Sequence, residues 1–145
     1  MNTSDEKGYS LIVDVALLIK GEVLLLKYGD PEAHDGQPGW FIPDDSIKYL
    51  EHPEQAAQRV LHEQLGLEGM DPVLDHIESF AGNNGSWHLA FHYKIELDAQ
   101  PKIKQGKPVS ATKWFNLNSL PQREEVAHHG WALNILKKIQ SQAKE

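Results

Sequence analysis

Apolar and polar positions change their spacing several times along the chain, and each change marks an element. Tyr9 to Ile19 is rich in Leu, Ile and Val and predicts a strand. Lys20-Gly21-Glu22 predicts a turn and Val23 to Tyr28 a second strand, so the two make a hairpin. Gly29 to Gly39 (GDPEAHDGQPG) mixes glycines, prolines and acids without period and predicts a loop. Trp40-Phe41-Ile42 is a short apolar segment stopped by Pro43. Pro53 to Leu65 predicts a helix. Proline suits a first helical turn, and Glu54 sits where the helix dipole favours negative charge. Ala57, Leu61 and Leu65 share one stripe, and Gly66 suits the position just past the end. Val73 to Phe80 and Trp87 to Leu97 predict strands around an Asn83-Asn84-Gly85 turn. In the second of these, Trp87, Leu89, Phe91 and Tyr93 alternate with His88, Ala90, His92 and Lys94, which predicts a core position for Trp87. Gln100 to Val109 predicts a loop and Ala111 to Leu117 a strand, ended by Asn118-Ser119-Leu120-Pro121. A last helix is expected over 124–142, with Trp131, Ile135 and Ile139 on one stripe. No internal repeat or low-complexity segment interrupts this order. Strands with one helix in the middle and one at the end predict an α+β or three-layer sandwich.

Composition narrows the possibilities. The 145 residues suit one domain, with 1–8 as a loose tail and 9–145 as the folded unit. A chain of this length buries a core without staples, and 40% hydrophobic with 24% charged residues is ordinary for a globular protein. The absence of cysteine excludes disulfides, thiolate metal sites and a cysteine nucleophile. A net charge of −7 argues against a nucleic-acid polymer as partner, because such binding needs a lysine- and arginine-rich surface. The acidic N-terminus lacks the features of a secretory signal, and the longest apolar run, Val15 to Ile19, is too short to span a bilayer. No membrane association and a cytoplasmic location are expected; a homodimer is compatible with this composition.

The chemistry concentrates between Trp40 and Leu67, in the sequence WFIPDDSIKYLEHPEQAAQRVLHEQLGL. Glu51 is followed by seven residues and then Arg59, and Leu61, Glu63, Gly66 and Leu67 follow in order. This stretch resembles the Nudix box, in which Gly, five residues, Glu and seven residues precede Arg-Glu-apolar-any-Glu-Glu-any-Gly-apolar. Trp40-Phe41-Ile42-Pro43 and Ala56-Ala57 resemble its flanks, and Lys113-Trp114-Phe115 through Leu120-Pro121 resembles the family's late strand and exit. The resemblance runs from Tyr9 onward. It implies a Nudix-type α/β/α sandwich with a central mixed sheet, and a hydrolase of a nucleoside diphosphate linked to another group. In that family the box glutamates hold Mg²⁺ or Mn²⁺, which neutralises the diphosphate and polarises the attacking water. Carried over by position, the candidate catalytic residues are Glu51, Arg59 and Glu63. The candidate metal ligands are Glu63, Glu51 and Asp45. Trp40, Arg59 and Phe80 are the candidates for holding a flat anionic ligand, offering aromatic faces and a guanidinium.

The departures carry as much information. Asp45 stands at the box's first glycine, Val60 replaces the glutamate after the arginine, and Gln64 replaces the second of the paired glutamates. Positions 60, 63 and 64 are expected on one helix face, which then keeps one carboxylate of three. The loop from Gln100 to Thr112, where the family often adds an acid, holds neither Asp nor Glu. Divalent-cation binding is therefore expected to be weak and hydrolysis weak or lost. The alternative is an inactive Nudix-fold module that binds a nucleotide, a metabolite or a protein partner as a sensor. Residue by residue, simpler roles compete. Arg59 and Glu63 form an ordinary i,i+4 pair, Val60 widens the core stripe, and Glu51 charges the helix start. The eight histidines do not form a zinc site by sequence. His88 and His92 on a strand stand roughly 13 Å apart, and neighbours His128 and His129 on a helix point apart.

Overall fold

The computed structural model describes residues 8–30, 38–82 and 85–143. The expected tail, apart from Gly8, lies outside these residues, as do Asn83, Asn84 and most of the 29–39 loop. Six strands form one sheet: β1 (Tyr9–Ile19), β2 (Glu22–Tyr28), β3 (Asp44–Ser46), β4 (Val73–Ala81), β5 (Trp87–Glu96) and β6 (Val109–Asn116). Their order is β4-β5-β1-β2-β6, with β3 paired to β1. β1 and β5 run parallel while the other pairings are antiparallel, so the sheet is mixed.

Helices cover both faces, which explains why β1 and β2 read as nearly unbroken apolar runs. Val13, Val15, Leu17, Leu24 and Leu26 pack with Ala56, Ala57, Val60, Leu61 and Leu65 of α1 (Pro53–Leu65). Ala16, Leu18, Val23 and Leu25 alternate with them and pack with Ala132, Ile135, Leu136 and Ile139 of α2 (Ala127–Ala143). Each fully buried leucine on these stripes contributes about 1.5–3 kcal/mol of transfer free energy. Among the described residues, no helix is long and apolar enough to cross a membrane.

Three details differ from the sequence reading. β3 has only Asp-Asp-Ser and no alternation to reveal it; it forms because Ile12, Val13 and Asp14 of β1 have an edge for it to pair with. The last helix starts at Ala127 rather than Glu124. Residues Arg123–Glu125 form a separate 3₁₀ turn, and Val126 is extended and bridges Trp40. Trp87 is 54% exposed. It shares a sheet face with the buried Tyr93, yet stands opposite the exposed Tyr9 of β1, beyond the covered part of that face.

The loop before β6 docks on the end of α1. Lys104 and Gly106 donate backbone N–H groups to the carbonyls of Leu65 and Gln64, which the helix itself leaves unpaired. A Cβ on Gly106 would lie 1.8 Å from the Glu63 carbonyl oxygen. Gly106→Ala should therefore cost about 3 kcal/mol, the upper end of overpacking, and lower the Tm by roughly 6–12 °C. A thermal melt within a degree of wild type would show that this contact does not hold the loop.

Candidate functional site

α1 presents Arg59 to the segment between β3 and the helix start, and the guanidinium gathers three of the candidate acids. Its Nε donates to Glu51 Oε2 at 2.8 Å and its Nη2 to Glu51 Oε1 at 3.1 Å, a two-pronged pair. Nη1 donates to Asp45 Oδ2 at 2.8 Å and to Glu63 Oε1 at 3.0 Å, and Nη2 to the Ser46 carbonyl at 2.9 Å. Asp45, Glu51, Arg59 and Glu63 therefore form one cluster. Glu51 also accepts from the Lys48 amide at 2.9 Å, which fixes the turn before the helix.

These contacts shift the cluster's charges. Arg59's hydrogen bonds hold the Glu51 carboxyl below its ordinary 4.5, against a smaller opposing effect of burial. A folded pKa below the unfolded one gives stability that is present above about 4.5 and lost as pH falls through the folded value. Glu51→Gln should accordingly flatten the acid side of the stability profile, measured as urea unfolding from pH 6 down to about 3. Equal acid slopes in both proteins would mean that the pair contributes nothing. Arg59 is held charged, first by Glu51 and then by Asp45 and Glu63.

The two box positions that lack their glutamates turn inward. Val60 is fully buried among the α1-side core residues. Gln64 is 4% exposed; its Oε1 accepts from the Tyr28 hydroxyl at 2.9 Å and its Nε2 donates to the Asp44 carbonyl at 2.8 Å. The Asp44 amide in turn donates to the Tyr28 oxygen at 3.1 Å. Burial, and then the nearby Asp44 charge, raise the Tyr28 hydroxyl well above its ordinary pKa, so it stays neutral. Positions 60, 63 and 64 thus do not share one face. Glu63 lies on the exposed side, and the helix boundary with the core passes between 63 and 64.

The candidate ligand-binding residues are not gathered. Trp40 packs edge-on to Phe115 at 5.1 Å with the Lys27 ammonium over its ring, on the α2 side of the sheet. Phe80 stacks on His88 and leans on Trp131, also towards α2. Neither is among the contacts of Arg59. A shallow cleft of about 480 Å³ opens elsewhere, at the first turn of α1, between His52, Gln55, Gln58 and Tyr93.

Sequence reasoning missed a second polar cluster, on the α2 side. His92 is 1% exposed. Its Nδ1 lies 2.7 Å from Asp14 Oδ2 and its Nε2 lies 2.8 Å from Glu78 Oε1. His76 stands opposite His92 across the β4–β5 pair, with ring centroids 4.5 Å apart. Burial lifts the Asp14 carboxyl to about 6, partly offset by His92. Burial would lower His92, but Asp14 and then Glu78 overcome it and the net shift is upward. An aspartate in the midst of SLIVDVALLI was the available signal: a charge in a strand buried on both faces requires a partner.

A family model described as the NUDIX domain matches residues 9–134. The chain belongs to the Nudix family. The mixed sheet between two helices is the Nudix sandwich, and solved members superpose on it. A MutT Nudix hydrolase from Burkholderia pseudomallei is 26% identical, with a TM-score of 0.68 over 88% of this chain and 95% of that one. The Nudix domain of NrtR from Shewanella oneidensis, solved with ADP-ribose, is 18% identical, with a TM-score of 0.71 over 99% and 94%. An Ap4A hydrolase from C. elegans is 15% identical, with a TM-score of 0.72 over 93% and 98%. Below 25% identity these likenesses speak for the fold alone. A comparison with curated proteins gives no match.

Proposed function

We propose that this Nudix domain binds a nucleoside-diphosphate-linked small molecule, and that hydrolysis through its box is weak or lost. The supporting observation is the state of α1. Val60 offers no oxygen, and the Gln64 side chain is buried and tied to Tyr28 and Asp44. Glu63, Glu51 and Asp45 all bind one guanidinium. Hard-cation affinity follows the number and charge of the oxygen ligands that can converge on the ion. Here the remaining carboxylates converge on Arg59, so this donor set does not fit a firmly held Mg²⁺ or Mn²⁺. Without such an ion, charge gathering on phosphoryl oxygens lacks its counterweight, and losing one well-placed stabilising group already costs about 10²–10³ in rate.

The ligand class rests on family membership and on the fold shared with the NrtR domain solved with ADP-ribose. A sensor that recognises such a ligand without consuming it fits the same residues. Two assays on the full chain test this. Melting with ADP-ribose, nucleoside triphosphates and diadenosine polyphosphates should show stabilisation by at least one compound. Turnover of the same compounds with ample Mg²⁺ or Mn²⁺ should be very slow. Brisk hydrolysis abolished by Glu63→Gln would refute the loss of activity. No melting shift at concentrations far above plausible affinity would refute the ligand class.

A further inference from the structure

On the α2 face of the sheet, away from the box, two imidazoles and a carboxylate converge. We propose that His76, Glu78 and His92 bind one divalent transition-metal ion of the zinc and cobalt kind. One ligand atom from each residue lies within 4.8 Å of the others. Two ligands on a tetrahedral zinc ion stand about 3.4 Å apart, given metal–ligand distances of about 2.1 Å. Glu78, whose side chain is 42% exposed, has the freedom to close the difference. Two imidazole nitrogens and one oxygen suit a borderline ion such as zinc, cobalt or nickel rather than magnesium.

The surroundings of the three residues distinguish this site from an incidental meeting of polar groups. Metal-bound histidines characteristically donate their second ring N–H to a carboxylate, which fixes the ring and the tautomer. Both histidines have that support here. Asp14 Oδ2 lies 2.7 Å from His92 Nδ1, and Asp75 Oδ2 lies 2.6 Å from His76 Nδ1. Each ring is thereby left with Nε2 for coordination, and His92 Nε2 already points at Glu78.

Asp75 reaches its place through a break in the β4–β5 register between Leu74 and His76. Such a break re-aims side chains. Regular alternation would send Asp75 and His76 to opposite faces, whereas here they pair with each other and Asp75 also approaches Lys94 at 3.5 Å. A cluster that only neutralised Asp14 would require His92 alone. It would not require a second histidine brought to the same point with its own buttressing acid. His92 lies inward against the Trp131 ring at 5.5 Å, and Glu78 lies at the open edge. Three protein ligands at such an edge leave a fourth position for water, as in open zinc sites.

The test uses the full chain, stripped with a chelator and kept in a buffer free of phosphate. Zinc chloride is titrated by calorimetry, and cobalt chloride is followed by its visible absorption. One equivalent should bind with micromolar or tighter affinity, and Co²⁺ should give the intense visible bands of a four- or five-coordinate site. Glu78→Gln and His76→Gln should each weaken Zn²⁺ at least about tenfold, and Asp75→Asn about tenfold or more through its hold on His76. Glu78 carries the decision, because it lies at the surface and its replacement spares the buried Asp14–His92 pair; circular dichroism checks the fold. His62→Gln, which removes the exposed His62–Glu68 pair, should leave binding unchanged. The proposal falls if Zn²⁺ shows no saturable binding below the millimolar range. It also falls if Glu78→Gln and His76→Gln both bind as wild type, or if His62→Gln abolishes binding.

Discussion

Val60→Glu, which puts back the glutamate of the Nudix box, is expected to lower stability by about 3–5 kcal/mol. That is the usual consequence of leaving a charge uncompensated in a core. Val60 is fully buried within the apolar α1-side cluster. A domain with a total stability of about 5–15 kcal/mol would lose a large part of it. Val60→Ala provides the comparison: it removes methyl groups without adding charge and should cost about half as much or less. Gln64→Glu adds a second conflict. Gln64 now donates to the Asp44 carbonyl, and a carboxylate there would face that oxygen with no proton to give. Restoring both glutamates together with Asp45→Gly should yield measurable metal-dependent hydrolysis at the expense of stability, with millimolar Mg²⁺ recovering part of it. Urea unfolding with and without Mg²⁺ reads both effects. A Val60→Glu protein as stable as wild type would mean that position 60 opens to solvent, and brisk turnover by it alone would mean that Gln64 was never the obstacle.

The contrast between these positions and the rest of α1 shows what the sequence could convey. The bounds of α1 were legible because Pro53, the Ala57-Leu61-Leu65 stripe and Gly66 all say the same thing locally. The Arg59–Glu63 pair was legible from its i,i+4 spacing, whereas the reach of Arg59 to Glu51 and Asp45 was not, because it depends on how the segment before the helix folds back. The inward turn of Gln64 was not, because a glutamine carries no apolar signal and its partners, Tyr28 and Asp44, come from distant parts of the chain. The His76–His92 contact was hidden for a similar reason. Spacing along β5 correctly separates His88 from His92, but register across strands decides which histidine stands opposite, and the break at Asp75 shifts that register by one. Trp87 failed in the opposite direction. Alternation identified its face, but nothing in β5 says how far the covering elements reach.

Arg59→Ala should have the largest effect on the box cluster itself, and its sign differs between stability and metal affinity. The guanidinium is mostly buried and makes five hydrogen bonds, to Glu51, Asp45, Glu63 and the Ser46 carbonyl. Removing it leaves three carboxylates facing one another. Glu63 and Asp45 are well exposed and will turn away into water, so their share of the loss is small. Glu51 is more enclosed and is anchored through the Lys48 amide, so most of the loss falls there. Together these place the expected destabilisation at about 2–4 kcal/mol. The same change frees the oxygens that Arg59 now occupies, and three converging carboxylates attract a hard cation. Mg²⁺ or Ca²⁺ should therefore raise the Tm of Arg59→Ala clearly while moving wild type little, since an ion that binds only the folded state stabilises it by mass action. Arg59→Lys separates charge from geometry: it keeps one positive charge but not the fork, and should fall between the two in both stability and cation response. If Arg59→Ala melts like wild type and ignores divalent ions, the guanidinium is not what keeps the cations out, and the absence of carboxylates at 60 and 64 alone must account for weak metal binding.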